Sequence, residues 1–259
     1  MPYQTLTIAE KDRVAVVTFN RPEKRNAISR AMIEEFSGAL QRLEQSHARV
    51  VILTGAGKSF CAGMDLDELK ALTGNSREQN LQDSENMALL FRTVYDFPKP
   101  LIAAVNGPAI AGGCGIASLC DFTLASTESK FGYTEVRIGF LPAIVSTFLV
   151  RQIGEKRARD LLLTGRIIGA EEAVHIGLAT EVVPPERLMP RAHELAALLM
   201  ENSPTSLFAT KQLVNGFAFD QHTANLKAAV EANAAIRGTE DFREGVASFL
   251  EKRSPVWRS

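Results

Sequence analysis

The amino-acid sequence predicts an α/β fold that gives way to a helical C-terminal region, and three observations carry that prediction. Four short apolar runs are bounded by turn residues, an amphipathic helical stretch separates the first two, and strand signals stop after about Pro184. With 259 residues, 46% of them hydrophobic, the chain can bury a sizeable core. The expected division is a core over residues 1–184 followed by a helical region over residues 185–259.

Each element has its own justification. VAVVTF (Val14 to Phe19) is the first buried strand. Ser29 suits an N-cap, and after it Met32, Ile33, Phe36, Leu40 and Leu43 fall on one helical face, with Glu34, Glu35 and Gln41 opposite. VVILTG (Val50 to Gly55) is the second strand. Thr73 to Asn86 is polar and weakly patterned, which predicts a mobile loop with some helix, of the kind that often covers a binding site. PLIAAVNG (Pro100 to Gly107) and DFTLAS (Asp121 to Ser126) are the remaining strands. Beyond Pro184, RLMPRAHELAALLMENSP, TSLFATKQLVNGFAF and TANLKAAVEANAAIR read as successive amphipathic helices that lead into DFREGVASFLEKR.

Charge excludes several classes of partner. The 29 basic and 30 acidic residues leave a net charge of -1 with no long run of either sign, so no nucleic-acid footprint and no membrane-attracting face are present. Small molecules or further subunits are the expected partners. No apolar stretch reaches the ~20 residues of a spanning helix, and MPYQTLTIAEKDRV lacks the cationic start and apolar middle of a signal peptide. A cytoplasmic location is expected. Cys61, Cys114 and Cys120 form no C-x-x-C pair and read as reduced, buried thiols. His47, His175, His193 and His222 lack ligand spacing, so no metal is expected.

Two nucleotide signals are incomplete. TGAGKSF ends as a P-loop does, but the Gly required five positions before Gly57 is Ile52. Gly113-x-Gly115-x-x-Ser118 lacks the last residue of a dinucleotide fingerprint, and no acidic residue ends a second strand where a ribose would bind.

The small residues of FCAGMDLDEL (Phe60 to Leu69) and AVNGPAIAGGCGIASLCD (Ala104 to Asp121) call for another explanation. A backbone N–H can donate to a reacting oxygen only where no side chain blocks its approach, and glycine leaves that path open. In the second stretch the glycines stand where a strand meets an apolar helix, so first-turn amides point outward with the helix dipole behind them. An amide from the loop around Ala62, Gly63 and Met64 would complete a two-donor cradle for an oxygen that gains negative charge. Close helix-to-strand packing is the alternative use of the same glycines.

Taken together the two stretches resemble the enoyl-CoA hydratase/isomerase, or crotonase, family. NRPEKRNAIS, VVILTGAGKSFCAGMDLDEL, KPLIAAVNGPAIAGGCGIASLCDFTLAS, KFGYTEVRIGFLPA, LLLTGRIIGAEEAVHIGLATEVVP and EDFREGVASFLEKR are similar to its blocks, in order and at similar spacing. The resemblance implies a crotonase-like spiral core of ββα turns, a C-terminal helical region for trimerisation and cover of the site, homotrimers or hexamers, and a coenzyme A thioester substrate. No separate cofactor is implied, since coenzyme A is part of the substrate.

Carried over by position, the resemblance makes the Met64 and Gly112 amides the oxyanion donors and Glu135 the acid/base. The apolar neighbours Tyr133, Val136, Ile138 and Phe140 are expected to raise the Glu135 carboxyl's pKa. An ion pair with Arg137 or Arg151 is the alternative role of Glu135. Lys24 and Arg25 fall where the family's first loop meets the nucleotide, Ala62 and Leu66 flank the donor loop, and Lys252 resembles a lysine that reaches a neighbour's ligand. Arg137 is placed to meet a second carboxylate on the acyl group. Asp65, Gly113, Gly115, Tyr133 and Phe140 complete the expected substrate-contact set. One departure stands out: the hydratases' first catalytic glutamate lies three residues after the oxyanion glycine, where this chain has Gly115. A single carboxylate suffices for moving a proton between carbons, which favours the Δ3,Δ2-isomerase branch. The run from Gly132 to Arg166 instead resembles hydratases of short or branched acyl-CoA, including methylglutaconyl-CoA hydratase-like proteins, and hydration is the preferred expectation. A non-catalytic coenzyme A-binding protein is the third possibility.

Overall fold

A computed structural model describes residues 3–257 apart from residue 218. The chain order is β1 (Leu6–Lys11), β2 (Val14–Phe19), α1 (Arg30–Glu44), β3 (Val50–Gly55), α2 (Leu66–Leu72), α3 (Arg77–Tyr95), β4 (Leu101–Val105), β5 (Ala109–Ile110), α4 (Gly112–Leu119) and β6 (Phe122–Ser126). There follow β7 (Lys130–Gly132), α5 (Ala143–Ile153), α6 (Glu155–Thr164), β8 (Ile167–Gly169), α7 (Ala170–His175), β9 (Glu181–Val183), α8 (Leu188–Met200), α9 (Pro204–Gly216), α10 (Phe219–Ile236) and α11 (Glu240–Leu250).

One sheet has the order β1-β2-β3-β4-β6-β9 and a second, smaller one the order β5-β7-β8. Only the β1–β2 pair of the larger sheet is antiparallel; the rest of that sheet is parallel. The spiral arises because successive turns of chain give one strand to each sheet: β4 to the larger and β5 to the smaller before α4, then β6 and β7 in the same way before α5.

Parallel strands covered on both faces need apolar residues at every position, which is why the four runs read from the sequence are continuous. Val51, Leu53, Leu101, Ala103 and Val105 face the cluster that holds Phe36 and Leu40 of α1 and Ile116 of α4. Val50, Ile52, Ile102, Ala104 and Leu124 face Leu188, Ala192, Leu195 and Leu199 of α8. Each such side chain contributes ~1.5–3 kcal/mol when fully buried. α8 therefore packs as part of the sheet core, although it lies beyond the expected boundary at residue 184.

The Ser29 hydroxyl caps α1 by accepting from the Met32 amide at 3.3 Å. Ile33 is only partly buried, and Ala39 takes a place on the inner face. Glu35, expected on the solvent side, accepts the Gln4 and Thr5 amides, both at 2.8 Å, and so ties the chain's start to α1.

The loop expected at Thr73 to Asn86 is a correction, for most of it is the first half of α3. A capping box starts the helix: the Ser76 hydroxyl accepts the Gln79 amide, and the Gln79 side chain accepts the Ser76 amide. The apolar stripe is masked because two of its inward positions are polar, Asn80 and Ser84. Ser84 Oγ donates to Asn233 Oδ1 of α10 at 2.8 Å, so a buried hydrogen bond does there what an apolar contact does elsewhere.

Candidate active site

Two hydrogen-bonded seams bring the small-residue stretches together. Cys61 pairs with Ala109, through the Cys61 amide to the Pro108 carbonyl at 3.1 Å and the Ile110 amide to the Cys61 carbonyl at 2.9 Å. Met64 pairs with Ile28, whose amide donates to the Gly63 carbonyl at 2.7 Å and whose carbonyl accepts from the Asp65 amide at 2.8 Å. Gly63, at φ +89°, turns the chain between the seams, and an added Cβ there would stand 3.1 Å from the Ile110 carbonyl oxygen. Because Ile28 bonds to the residues on either side of Met64, the Met64 N–H is left outside that ladder.

Gly112 opens α4 directly after Ala111, which is held at φ 51°. Its amide belongs to the first turn and has no partner within the helix. Among the described residues, neither the Met64 nor the Gly112 amide donates to a protein acceptor. Both residues line one cavity of about 800 Å³.

Glu135 lines the same cavity from the 3-10 turn Glu135–Ile138 that follows β7. The turn is set by the Arg137 amide on the Thr134 carbonyl and the Phe140 amide on the Glu135 carbonyl, both at 3.0 Å. Glu135 is 8% exposed and its Oε2 is buried without a hydrogen-bond partner. Burial raises the carboxyl from 4.5 to about 7, against a smaller lowering by its own backbone amide. It forms no ion pair with Arg137 or Arg151, and Arg151 lies instead over the Tyr95 ring. Glu135 is the one acidic residue among the described residues that line this cavity.

Of the sequence-predicted residues, Arg25, Ala62, Met64, Leu66, Gly112, Glu135, Arg137 and Phe140 line the cavity. Lys24, Asp65, Gly113, Gly115, Tyr133 and Lys252 do not. Lys24 points to Asp67, 3.1 Å away at the surface, leaving Arg25 at the cavity. Asp65 is 3% exposed, paired with Arg21 at 2.8 Å, and caps α2 through the Asp67 amide. Burial raises its carboxyl, but the Asp67 amide and the Arg21 guanidinium outweigh that and hold it below the usual range. Gly113 lets α4 press against Cys61, whose Sγ would lie 2.8 Å from an added Cβ. The Tyr133 hydroxyl is buried 3.2 Å from the Ser118 hydroxyl. Lys252 is exposed, while Phe249, Arg253 and Pro255 around it line the cavity.

Gly115 is informative through its surroundings. An added Cβ would lie 2.7 Å from Val145 Cγ1 and 3.2 Å from Phe91 Cζ. The volume that a side chain would take at this position is thus occupied by two apolar groups, and both line the cavity.

The cavity also holds residues that the sequence reading missed. Lys58 is given no role in that reading, which quotes it only within the incomplete P-loop and a family block, yet it lines the mouth with Arg25, Arg137 and Arg253. Asn233 of α10 and Arg237, in the turn just after α10, bring further polar groups: Asn233 Nδ2 donates to the Leu141 carbonyl at 3.2 Å, and Arg237 pairs with Asp83 at 2.7 Å and lies over the Phe140 ring. Spacing along α10 carries no hint of this, because the partners come from α3 and the segment after Glu135.

A family model described as enoyl-CoA hydratase/isomerase matches residues 9–259. The chain belongs to that family. A Thermus thermophilus relative is 46% identical over 247 residues, covering 95% of this chain and 98% of its own. The Clostridium acetobutylicum "Short-chain-enoyl-CoA hydratase" is 38% identical over 261 residues, covering 98% of this chain and 97% of its own. Among solved structures, an enoyl-CoA hydratase/isomerase from Xanthobacter autotrophicus Py2 superimposes with a TM-score of 0.90 at 28% identity, covering 99% of this chain and all of that one. The crotonase fold expected from the sequence is therefore the fold of this enoyl-CoA hydratase/isomerase family member.

Proposed function

We propose that this family member is an enoyl-CoA hydratase that reversibly adds water to a short or branched 2-enoyl-CoA. The observation that carries the proposal is the buried Glu135 carboxyl, whose Oε2 has no hydrogen-bond partner and which is poised near pH 7, on the same apolar cavity as two backbone amides that donate to nothing in the protein. The name of the Clostridium acetobutylicum relative supports the substrate class.

In the hydration direction ionised Glu135 takes a proton from water as the water oxygen bonds to C3 of the acyl chain. The C2–C3 π pair moves into the C1–C2 bond, and the thioester π pair moves onto its oxygen. That oxygen becomes an enolate held by the Met64 and Gly112 amides. As the pair returns, C2 takes the proton back from Glu135 and the 3-hydroxyacyl thioester is complete. Loss of one such donor typically costs ~10²- to 10³-fold in rate, so the two amides can supply several kcal/mol. Arg25, Lys58 and Arg137 at the mouth supply charge for the phosphates of coenzyme A, whereas Arg253 there is already paired with Glu244 and Glu251. The chemistry requires no further cofactor.

A homotrimer, or a hexamer of two trimers, is part of the proposal. α9 buries none of its described residues, and it and the turn after it expose Phe208, Leu213, Val214 and Phe217, a face suited to another subunit. No helix among the described residues is long and apolar enough to cross a membrane.

The Gly115 wall favours a second reading, the Δ3,Δ2-enoyl-CoA isomerase. There Glu135 would take a proton from C2 of a 3-enoyl thioester and return it to C4. Absorbance separates the two: a hydratase bleaches the conjugated thioester band of crotonyl-CoA, and an isomerase makes that band appear from a 3-enoyl-CoA. Purified protein that does neither refutes both.

A further inference from the structure

A buried ion pair stands directly behind the Met64 donor. Arg21 Nη2 is 2.8 Å from Asp65 Oδ2, and Arg21 Nη1 donates to the Ala27 carbonyl at 2.9 Å. Asp65 Oδ1 accepts the Asp67 amide at 3.0 Å, and the Asp65 amide donates to Ile28 at 2.8 Å. The guanidinium therefore ties residue 27 to residue 65, while Ile28 and Met64 form the rung between them. Neither Arg21 nor Asp65 lines the cavity. Asp65 is almost wholly buried and Arg21 largely so.

Two features of this pair call for a role. Burying a charge pair costs desolvation energy that its mutual attraction often fails to recover, so stability alone is a poor reason for it. The Met64 peptide also needs an anchor, because it follows Gly63, which sits in the left-handed region at φ +89° and whose backbone is permissive. A misplacement of ~1 Å at a reacting group can cost about 10²-fold in rate.

We propose that Arg21 and Asp65 are positioning residues for the Met64 amide: their fork-to-carboxylate pair fixes the direction in which that N–H points. The proposal rests on the reading of Met64 as an oxyanion donor. It assigns Asp65 a place behind the donor in place of contact with the substrate.

The test uses butyryl-CoA carrying ¹³C at the thioester carbonyl, a saturated probe that does not turn over. Difference infrared spectra compare its carbonyl band free and bound to the full-length protein. A bound band shifted to lower frequency in the wild type reports polarisation by the amides. Arg21→Met should return the band most of the way to the free position and lower kcat by ~10- to 100-fold, with KM within about threefold. Arg21→Lys, which keeps the charge and loses the fork, should fall between. Should Arg21→Met fail to fold, Asp65→Asn makes the same test, since Asn preserves shape and can still cap α2. A wild-type band that is not shifted overturns the donor reading itself. A shifted band that both Arg21→Met and Asp65→Asn leave in place overturns the positioning role alone, whatever their melting temperatures.

Discussion

Replacing Glu135 with Gln removes one ionisable group from the cavity wall while keeping its shape, and the consequences for stability and for rate run in opposite directions. In the folded protein the carboxyl holds its proton up to about pH 7, against an ordinary value of 4.5. Between those limits the native state binds a proton that the unfolded chain has released, so wild-type stability falls as pH rises. At ~1.4 kcal/mol per pH unit, that span amounts to ~3 kcal/mol. The contribution is fully present below about pH 4.5 and is lost once pH has passed about 7. Glu135→Gln titrates nowhere in this range. Urea unfolding at fixed protein concentration should therefore show the variant gaining most of that ~3 kcal/mol on the wild type between about pH 5 and about pH 8. Its turnover should be lower by ~10²- to 10⁴-fold. Wild-type kcat/KM should itself fall as pH drops through about 7, because the ionised form takes the first proton. A stability difference that does not change with pH refutes the burial of an ionisable group here, and an unchanged rate in Glu135→Gln removes the residue from the chemistry.

Gly115→Ala places a Cβ 2.7 Å from Val145 Cγ1 and should cost ~1–3 kcal/mol in urea unfolding, with Gly115→Ala/Val145→Ala recovering at least half. A fully tolerated single substitution would show that the slot is open. Arg25→Ala, at the cavity mouth, should raise KM by ~3- to 10-fold at nearly constant kcat, with the effect shrinking in high salt, as steady-state kinetics at two ionic strengths will show. Leu213→Glu, on the exposed face of α9, should shift sedimentation velocity toward smaller species, and an unaltered profile rules that face out of the assembly.

What the sequence disclosed follows from how far each residue's environment is set by its own neighbours. β2, β3, β4 and β6 were readable because cover on both faces makes each a continuous apolar run. β1 was not, since LTIAEK buries only Leu6, and β5, with two residues, is too short to show any period. α3 hid its first half behind the buried polar residues Asn80 and Ser84, the second of which bonds to Asn233 on α10, a partner that no local pattern can announce. The site divides in the same way. Glu135 could be singled out because the block around it, KFGYTEVRIGFLPA, resembles the family's, and the structure buries it to 8% exposure. The amide donors could be recognised because access to a backbone N–H demands small residues on the spot. Val145, Phe91, Lys58 and Arg237 reach the cavity from separate elements and carry no such local mark. Asp65 is the instructive case. A carboxylate next to a donor loop looks the same in sequence whether it faces a ligand or an arginine from the end of another strand, and only the fold brings Arg21 behind it. Sequence can thus nominate the groups proposed to meet the reacting atoms, while the groups proposed to aim them become visible when the chain is closed on itself. For this site the difference is testable, because a contact residue and an aiming residue change different quantities: the first alters affinity or proton transfer, and the second alters the polarisation of a carbonyl it never touches.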